Sequence, residues 1–97
     1  MKIVNLGEVE RFGKGDKRAR SALQAWVTVI RRAIAWKNFA DIKRTCGSVV
    51  KVGRFYVFDV GGNKYRVIAE VDFEFQLVRI VSVLDHKEHD RGKWREK

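Results

Sequence analysis

The sequence predicts an α+β domain in which N-terminal helices pack on one face of a small antiparallel sheet. Three observations carry this. Residues 55–71, FYVFDVGGNKYRVIAEV, are two runs rich in Val, Ile, Tyr and Phe around Gly61-Gly62-Asn63, a hairpin pattern whose turn supplies the positive φ angles a tight loop needs. From Ala19 to Ile34 the apolar residues recur at steps of three and four, the spacing of one helical stripe. At 97 residues and 45% hydrophobic content, the chain suffices for one core and not two. Residues 1–97 are therefore read as a single domain.

Taken in order, Lys2-Ile3-Val4 is a short apolar run suited to an edge strand. Asn5 stands as an N-cap with Glu8 three residues on, and Leu6, Val9 and Phe12 make one helical turn pattern that Gly13 stops. Gly13-Lys14-Gly15 is a loop without the spacing of a phosphate-binding P-loop. Asp16 caps a helix running to about Ala35, with Ala19, Leu23, Trp26, Ile30, Ala33 and Ile34 inward and Arg20, Gln24, Thr28 and Arg31 opposite. Asn38 caps a short helical piece. Val49–Val52 is a strand, and Gly53-Arg54 turns into the hairpin. Asp72–Phe75 is a second turn. Gln76–Leu84 is a last strand, with Val78, Ile80 and Leu84 on one side and Leu77, Val81 and Val83 on the other. The tail, DHKEHDRGKWREK, is charged, with residues 91–97 expected to fray.

The hairpin has two unlike faces. Whichever pair centres the turn, Tyr56, Phe58, Val60, Tyr65, Val67, Ala69 and Val71 share one face and need the long helix as cover. Phe55, Val57, Asp59, Lys64, Arg66, Ile68 and Glu70 share the other, where Lys64 and Arg66 serve either as a solvated surface paired with Asp59 and Glu70 or as a binding surface.

Charge narrows the partners. Lys and Arg number 21 against 12 acids, a formal net charge of +9, which suits nucleic acid, ribosome or an acidic protein. No apolar run approaches the roughly 20 residues of a membrane span, and MKIVNLGEVE has no signal-peptide core. Cys46 is the sole cysteine, so no internal disulfide forms and a reduced cytoplasm is the expected setting.

Three segments then act together: Ala25-Trp26 leading to Trp36-Lys37-Asn38-Phe39-Ala40-Asp41, Tyr56-Val57-Phe58 through Gly61-Gly62-Asn63-Lys64-Tyr65-Arg66, and His86-Lys87-Glu88 with Asp90. Their order and spacing resemble the HigB-type toxins, mRNA interferases of bacterial type II toxin–antitoxin modules within the RelE/ParE-like superfamily. The resemblance implies a RelE-like fold and cleavage of mRNA, commonly on the translating ribosome. It also implies a HigA-like helix-turn-helix antitoxin that neutralises the toxin in a hetero-oligomer and represses the shared operon. The chain departs from the family pattern at Asp59, where Asn is usual, at Val81, where Arg is usual, and at Asp85 and His89 in the closing motif.

Metal-free RNA cleavage needs a base for the ribose 2′-OH, a cation for the phosphoryl oxygens and an acid for the leaving 5′-oxygen. Arg66 is the expected cation, because a guanidinium forks onto two phosphate oxygens. His86 is the expected proton carrier, with His89 in place of the family's Tyr. Lys64, Arg79, Lys87 and Arg54 are the expected phosphate contacts, Arg79 standing in for the Arg absent at Val81. No cofactor or metal is expected, since Asp85-His86-His89-Asp90 has no third His or Cys cluster beside it. The alternative is a binding module that keeps the toxin fold and holds RNA, ribosome or antitoxin without cutting. On that reading His86 and His89 are polar tail residues and Arg79 is an ion-pair partner.

Overall fold

A computed structural model describes residues 1–33, 35–62 and 64–85. In chain order it forms β1 (Lys2–Val4), α1 (Gly7–Gly13), α2 (Lys17–Arg32), α3 (Phe39–Thr45), β2 (Val50–Val52), β3 (Phe55–Val60), β4 (Tyr65–Asp72) and β5 (Leu77–Asp85). The strands make one sheet in the order β1-β5-β4-β3-β2. The expected α+β fold holds. All pairings are antiparallel except that of β1, which lies at the edge parallel to β5.

Local chemistry explains most boundaries. Asp16 has extended backbone, and its Oδ1 accepts from Arg18 N at 3.0 Å and Ala19 N at 3.2 Å, so α2 starts where two orphan donors find an acceptor. The helix stops at Arg32, short of the expected Ala35, because Ala33 turns extended while its N–H still bonds back to Ile30 O. The Met1 nitrogen then donates to the Ile30 and Ala33 carbonyls, satisfying that open end. At α3, Asn38 Oδ1 accepts from Asp41 N, and Asp41 Oδ2 accepts from Lys37 N. Asn5 is not the side-chain cap of α1. Its backbone is left-handed, at φ 71°, and its Nδ2 donates to Ile80 O on β5, tying the β1–α1 corner to the sheet.

The hairpin register is the one centred on Gly62-Asn63, with Val60 opposite Tyr65, Phe58 opposite Val67 and Asp59 opposite Arg66. Gly61 sits at φ 67°, and a Cβ there would lie 3.0 Å from the Tyr65 ring and 3.2 Å from the Ala22 methyl, so glycine lets α2 press onto the turn. The face of Tyr56, Phe58, Val60, Tyr65, Val67 and Ala69 is covered by the helical layer, α2 over Phe58 as the pattern required, with Phe12 of α1 against Tyr65 and Phe39 of α3 against Tyr56. Trp26 meets Phe58 edge-on, centroids 5.3 Å apart.

Two departures concern the core. A β-bulge interrupts the β4–β5 register between Ile68 and Ala69: Ile68 faces Ser82 while Ala69 faces Ile80, so Val81 is the extra residue. Parity therefore flips along β5. Val83 joins Val78 and Ile80 in the main core, and Leu84 joins Val81 on the other face. That other face has a small core of its own in Phe55, Val57 and Ile68. The second departure is Trp36, one of the largest fully buried side chains. Its N–H and C=O are both held by the Gln76 amide, and its Nε1 donates to Thr45 Oγ1. Among the described residues no helix is long and apolar enough to cross a membrane.

Candidate functional site

The face of the sheet away from the helices carries Arg66. Cross-strand pairing sets Arg66 on β4 opposite Asp59 on β3, and Arg66 Nε donates to Asp59 Oδ1 at 2.8 Å. Arg66 Nη1 also donates to its neighbour's carbonyl, Tyr65 O, at 3.3 Å. Alternation puts Ile68 beside Arg66 and Val57 beside Asp59, and β5 places Leu84 opposite Arg66. In that apolar setting Arg66 is only 9% exposed. A charge held there has a fixed position and a strong field, because little water screens it.

Behind the pair, Tyr65 points the other way, into the helical layer. Its ring packs edge-on against Phe12, and its hydroxyl donates to Asp16 Oδ2 at 3.3 Å. The backbone N–H bonds from Ala19 and Arg18, with the Tyr65 hydroxyl, hold the Asp16 carboxyl below its ordinary range against partial desolvation. Burial, and then the nearby Asp16 charge, push the Tyr65 phenol up. The α2 start and the strand carrying Arg66 are thus joined by one hydrogen bond.

The other expected site residues fall into separate groups. Arg79 pairs with Glu70 across β4 and β5. Glu70 is four residues along β4 from Arg66, roughly 13 Å away. Arg54 lies at the β2–β3 turn with its guanidinium 4.8 Å from the Phe55 ring centroid, at that same far end of β3. Lys64 is exposed and lines a groove with Lys17, Arg18 and Ser21, on the helical side rather than beside Arg66. His86, His89 and Lys87 lie outside the described residues. The last described residue, Asp85, stands opposite Tyr65, so β5 ends one position from the Arg66–Leu84 pair. Among the described residues no cluster of three or more His, Cys, Asp or Glu could hold a metal ion. Cys46 packs half-buried on the core, where burial pushes its thiol pKa up, a setting that disfavours the thiolate.

Sequence reasoning missed a second basic region. The α2 segment KRARSALQAWVTVIRR has no acidic residue. Lys17, Arg18, Arg20, Arg31 and Arg32 are all exposed, and none comes within ion-pair distance of a carboxylate among the described residues. The absence of acids from α2 is legible in the sequence itself, beside the stronger signal of the apolar stripe.

Comparison with known proteins brings these features together. The family profile for HigB toxin, described as the RelE-like toxic component of a toxin-antitoxin system, matches residues 19–92. A 37-residue stretch is 54% identical to the mRNA interferase toxin HigB of Escherichia coli strain K12, and equally to the mRNA interferase HigB of Escherichia coli O157:H7 and of Shigella flexneri. That stretch covers 38% of this chain and 36% of each relative, so the match spans about a third of their length.

Proposed function

Because the chain belongs to the HigB toxin family, the RelE-like toxic components of toxin–antitoxin systems, we propose that it is an endoribonuclease that cuts mRNA. It acts in the cytoplasm on the translating ribosome, without a metal, and a HigA-like helix-turn-helix antitoxin neutralises it in a hetero-oligomer. The observation that carries this reading is the Arg66–Asp59 pair: a guanidinium fixed in an apolar setting on the outer sheet face, within the segment that resembles the family most.

In the reaction the ribose 2′-oxygen attacks the adjacent phosphorus, its proton passes to a base, and the P–O5′ bond breaks as an acid protonates the leaving oxygen. Arg66 stabilises the charge gathering on the non-bridging oxygens. Asp59 orients the guanidinium through Nε, so little reorganisation is needed when that charge develops. His86 and His89 carry the protons, Lys87 holds a flanking phosphate, and Arg79 and Arg54, at the far end of the same sheet face, hold phosphates further along the RNA; Lys64, on the helical side, is not among these contacts. The antitoxin inhibits by covering or distorting the Arg66 face. This chain shows no recognition-helix pattern, so operator binding belongs to the complex.

The same pair favours a second reading. Arg66 is already matched by a carboxylate where the family usually has Asn, which suits a module that binds RNA, ribosome or antitoxin without cutting. Primer extension on mRNA from expressing cells separates the two. The proposal expects growth arrest and new 5′ ends in wild type, both lost in folded Arg66→Ala and reduced in His86→Ala. Wild type that binds antitoxin yet makes no new ends would leave the binding module as the function.

A further inference from the structure

The bulge on β5 does more than reorder the core. Uninterrupted alternation along the strand would set Ser82 beside Ile80, among the apolar side chains of the main core. The extra residue, Val81, turns Ser82 instead onto the outer sheet face, opposite Ile68 and diagonally across from Arg66. Two polar side chains are buried among the described residues, Arg66 at 9% and Ser82 at 4% exposed. The fold brings both to the same face, on neighbouring strands. Diagonal neighbours on an antiparallel pair lie roughly 7–8 Å apart, within reach of a single phosphate when one of them is a long arginine.

Folding does not explain the serine. Its neighbours on this face are Ile68, Val81 and Leu84, part of the small apolar cluster built on Phe55, Val57 and Ile68. No group among the described residues hydrogen-bonds its hydroxyl, and that hydroxyl is not sealed in as Trp26 Nε1 is. A hydroxyl so placed costs stability that an alanine would not. Bulges beside sites re-aim a side chain, and here the one re-aimed is the only hydroxyl of that face among the described residues. Arg79, the basic side chain of the same strand, is drawn off to Glu70 at the far end.

We propose that Ser82 is a further substrate-contacting residue of the Arg66 site: its hydroxyl donates to an oxygen of the phosphate that the Arg66 guanidinium neutralises. Register places Asp59 on the β3 side of Arg66 and Ser82 on the β5 side, so the phosphate is held from two strands. A hydroxyl adds a directed donor without a charge, which leaves the Arg66–Asp59 pair undisturbed. Ser82 is not the nucleophile. The ribose 2′-oxygen attacks, and Ser82 keeps its proton throughout, its hydrogen bond strengthening as charge gathers on the phosphoryl oxygens. The inference rests on the reading of the chain as an endoribonuclease, and it adds a donor where that reading placed one cation.

The test follows new 5′ ends on one mRNA in a translating extract, at limiting and at saturating protein, and the melting temperature of each variant. Wild type is compared with Ser82→Ala, Ser82→Thr and Ser48→Ala, the last a control in the exposed loop after α3. Ser82→Ala should melt no lower than wild type, because it removes an unpartnered hydroxyl. It should nevertheless cut roughly tenfold more slowly at saturation, the effect of losing one hydrogen bond to a charged group. Ser82→Thr restores the donor and should cut near the wild-type rate, as should Ser48→Ala. Ser82→Ala that cuts as fast as wild type at every protein concentration would overturn the inference and leave the endonuclease reading intact. So would Ser82→Ala that loses rate and melting temperature together while Ser82→Thr restores neither, which would make the serine a packing residue. A deficit seen only at limiting protein would assign the hydroxyl to a flanking phosphate and overturn its place at the scissile one. Wild type that makes no new ends would remove the endonuclease reading, and this inference with it.

Discussion

The outer sheet face and the solvent face of α2 carry similar residue types and use them in opposite ways. On the sheet each described arginine of β4 and β5 has a carboxylate directly across the strand, Arg66 with Asp59 and Arg79 with Glu70, and apolar Val57, Ile68 and Leu84 crowd the first pair. On α2 the arginines stand in water with no carboxylate on the helix. A desolvated, paired guanidinium is fixed and strongly felt at short range. A solvated, unpaired one is mobile, screened and additive with its neighbours. The first arrangement suits chemistry at one phosphate, the second suits holding a chain of them.

Stability separates the faces most sharply. Asp59→Ala removes the carboxylate that accepts from Arg66 Nε and should cost roughly 1.5–3 kcal/mol in urea unfolding, the range for a hydrogen bond to a charged group, whereas Arg20→Ala should stay within about 0.5 kcal/mol. Equal losses would erase the distinction. Trp26 supports both faces, since it joins α2 to Phe58 beneath the hairpin. Trp26→Ala should cost about 3–5 kcal/mol. Trp26→Phe should cost much less than the loss of ring volume suggests, because Trp26 Nε1 is buried without a hydrogen-bond partner among the described residues and Phe removes that orphaned donor.

A smaller effect cuts the other way. Ser21→Glu places a carboxylate at i+4 from Lys17 and i+3 from Arg18, which should stabilise the helix by about 0.2–0.5 kcal/mol per pair. It should also weaken RNA binding. A variant that gains melting temperature while losing RNA affinity is the behaviour expected of a face selected for a ligand. Smallest is a pH effect. Folding lowers the Asp16 carboxyl below its ordinary value, so its contribution is full above the unfolded carboxylate range, near 3.9, and disappears as pH falls through the folded value. Asp16→Asn keeps a cap and should flatten that part of the acid stability curve, read by circular dichroism.

Much of the fold was legible because the two periodicities are strong. The stripe of Ala19, Leu23, Trp26 and Ile30 and the alternation of Tyr56, Phe58, Tyr65 and Val67 each demanded cover, and each covers the other. What stayed hidden depends on long-range partners. The bulge at Val81 leaves no local signature, yet it exchanges the roles of Val83 and Leu84. Asn5 reads as a cap because its type fits, but a strand carbonyl 75 residues on takes its amide. Trp36 looks like a helix end until Gln76 is seen to hold its backbone. At the site, Arg66 and Asp59 followed from hairpin register. The distance of Arg79 and Arg54 from Arg66, and the turn of Lys64 toward α2, required the three-dimensional arrangement.

The account stands on Arg66 being held by Asp59 for chemistry. The most direct measurement is the rate at which new 5′ ends form on one mRNA in a translating extract, at saturating protein, for wild type, Asp59→Asn and Arg66→Ala. Asparagine still accepts from Arg66 Nε but removes the opposing charge, so Asp59→Asn should cut at least as fast as wild type. Arg66→Ala should be slower by about 10²–10³-fold. Cutting by Arg66→Ala at the wild-type rate would contradict the account.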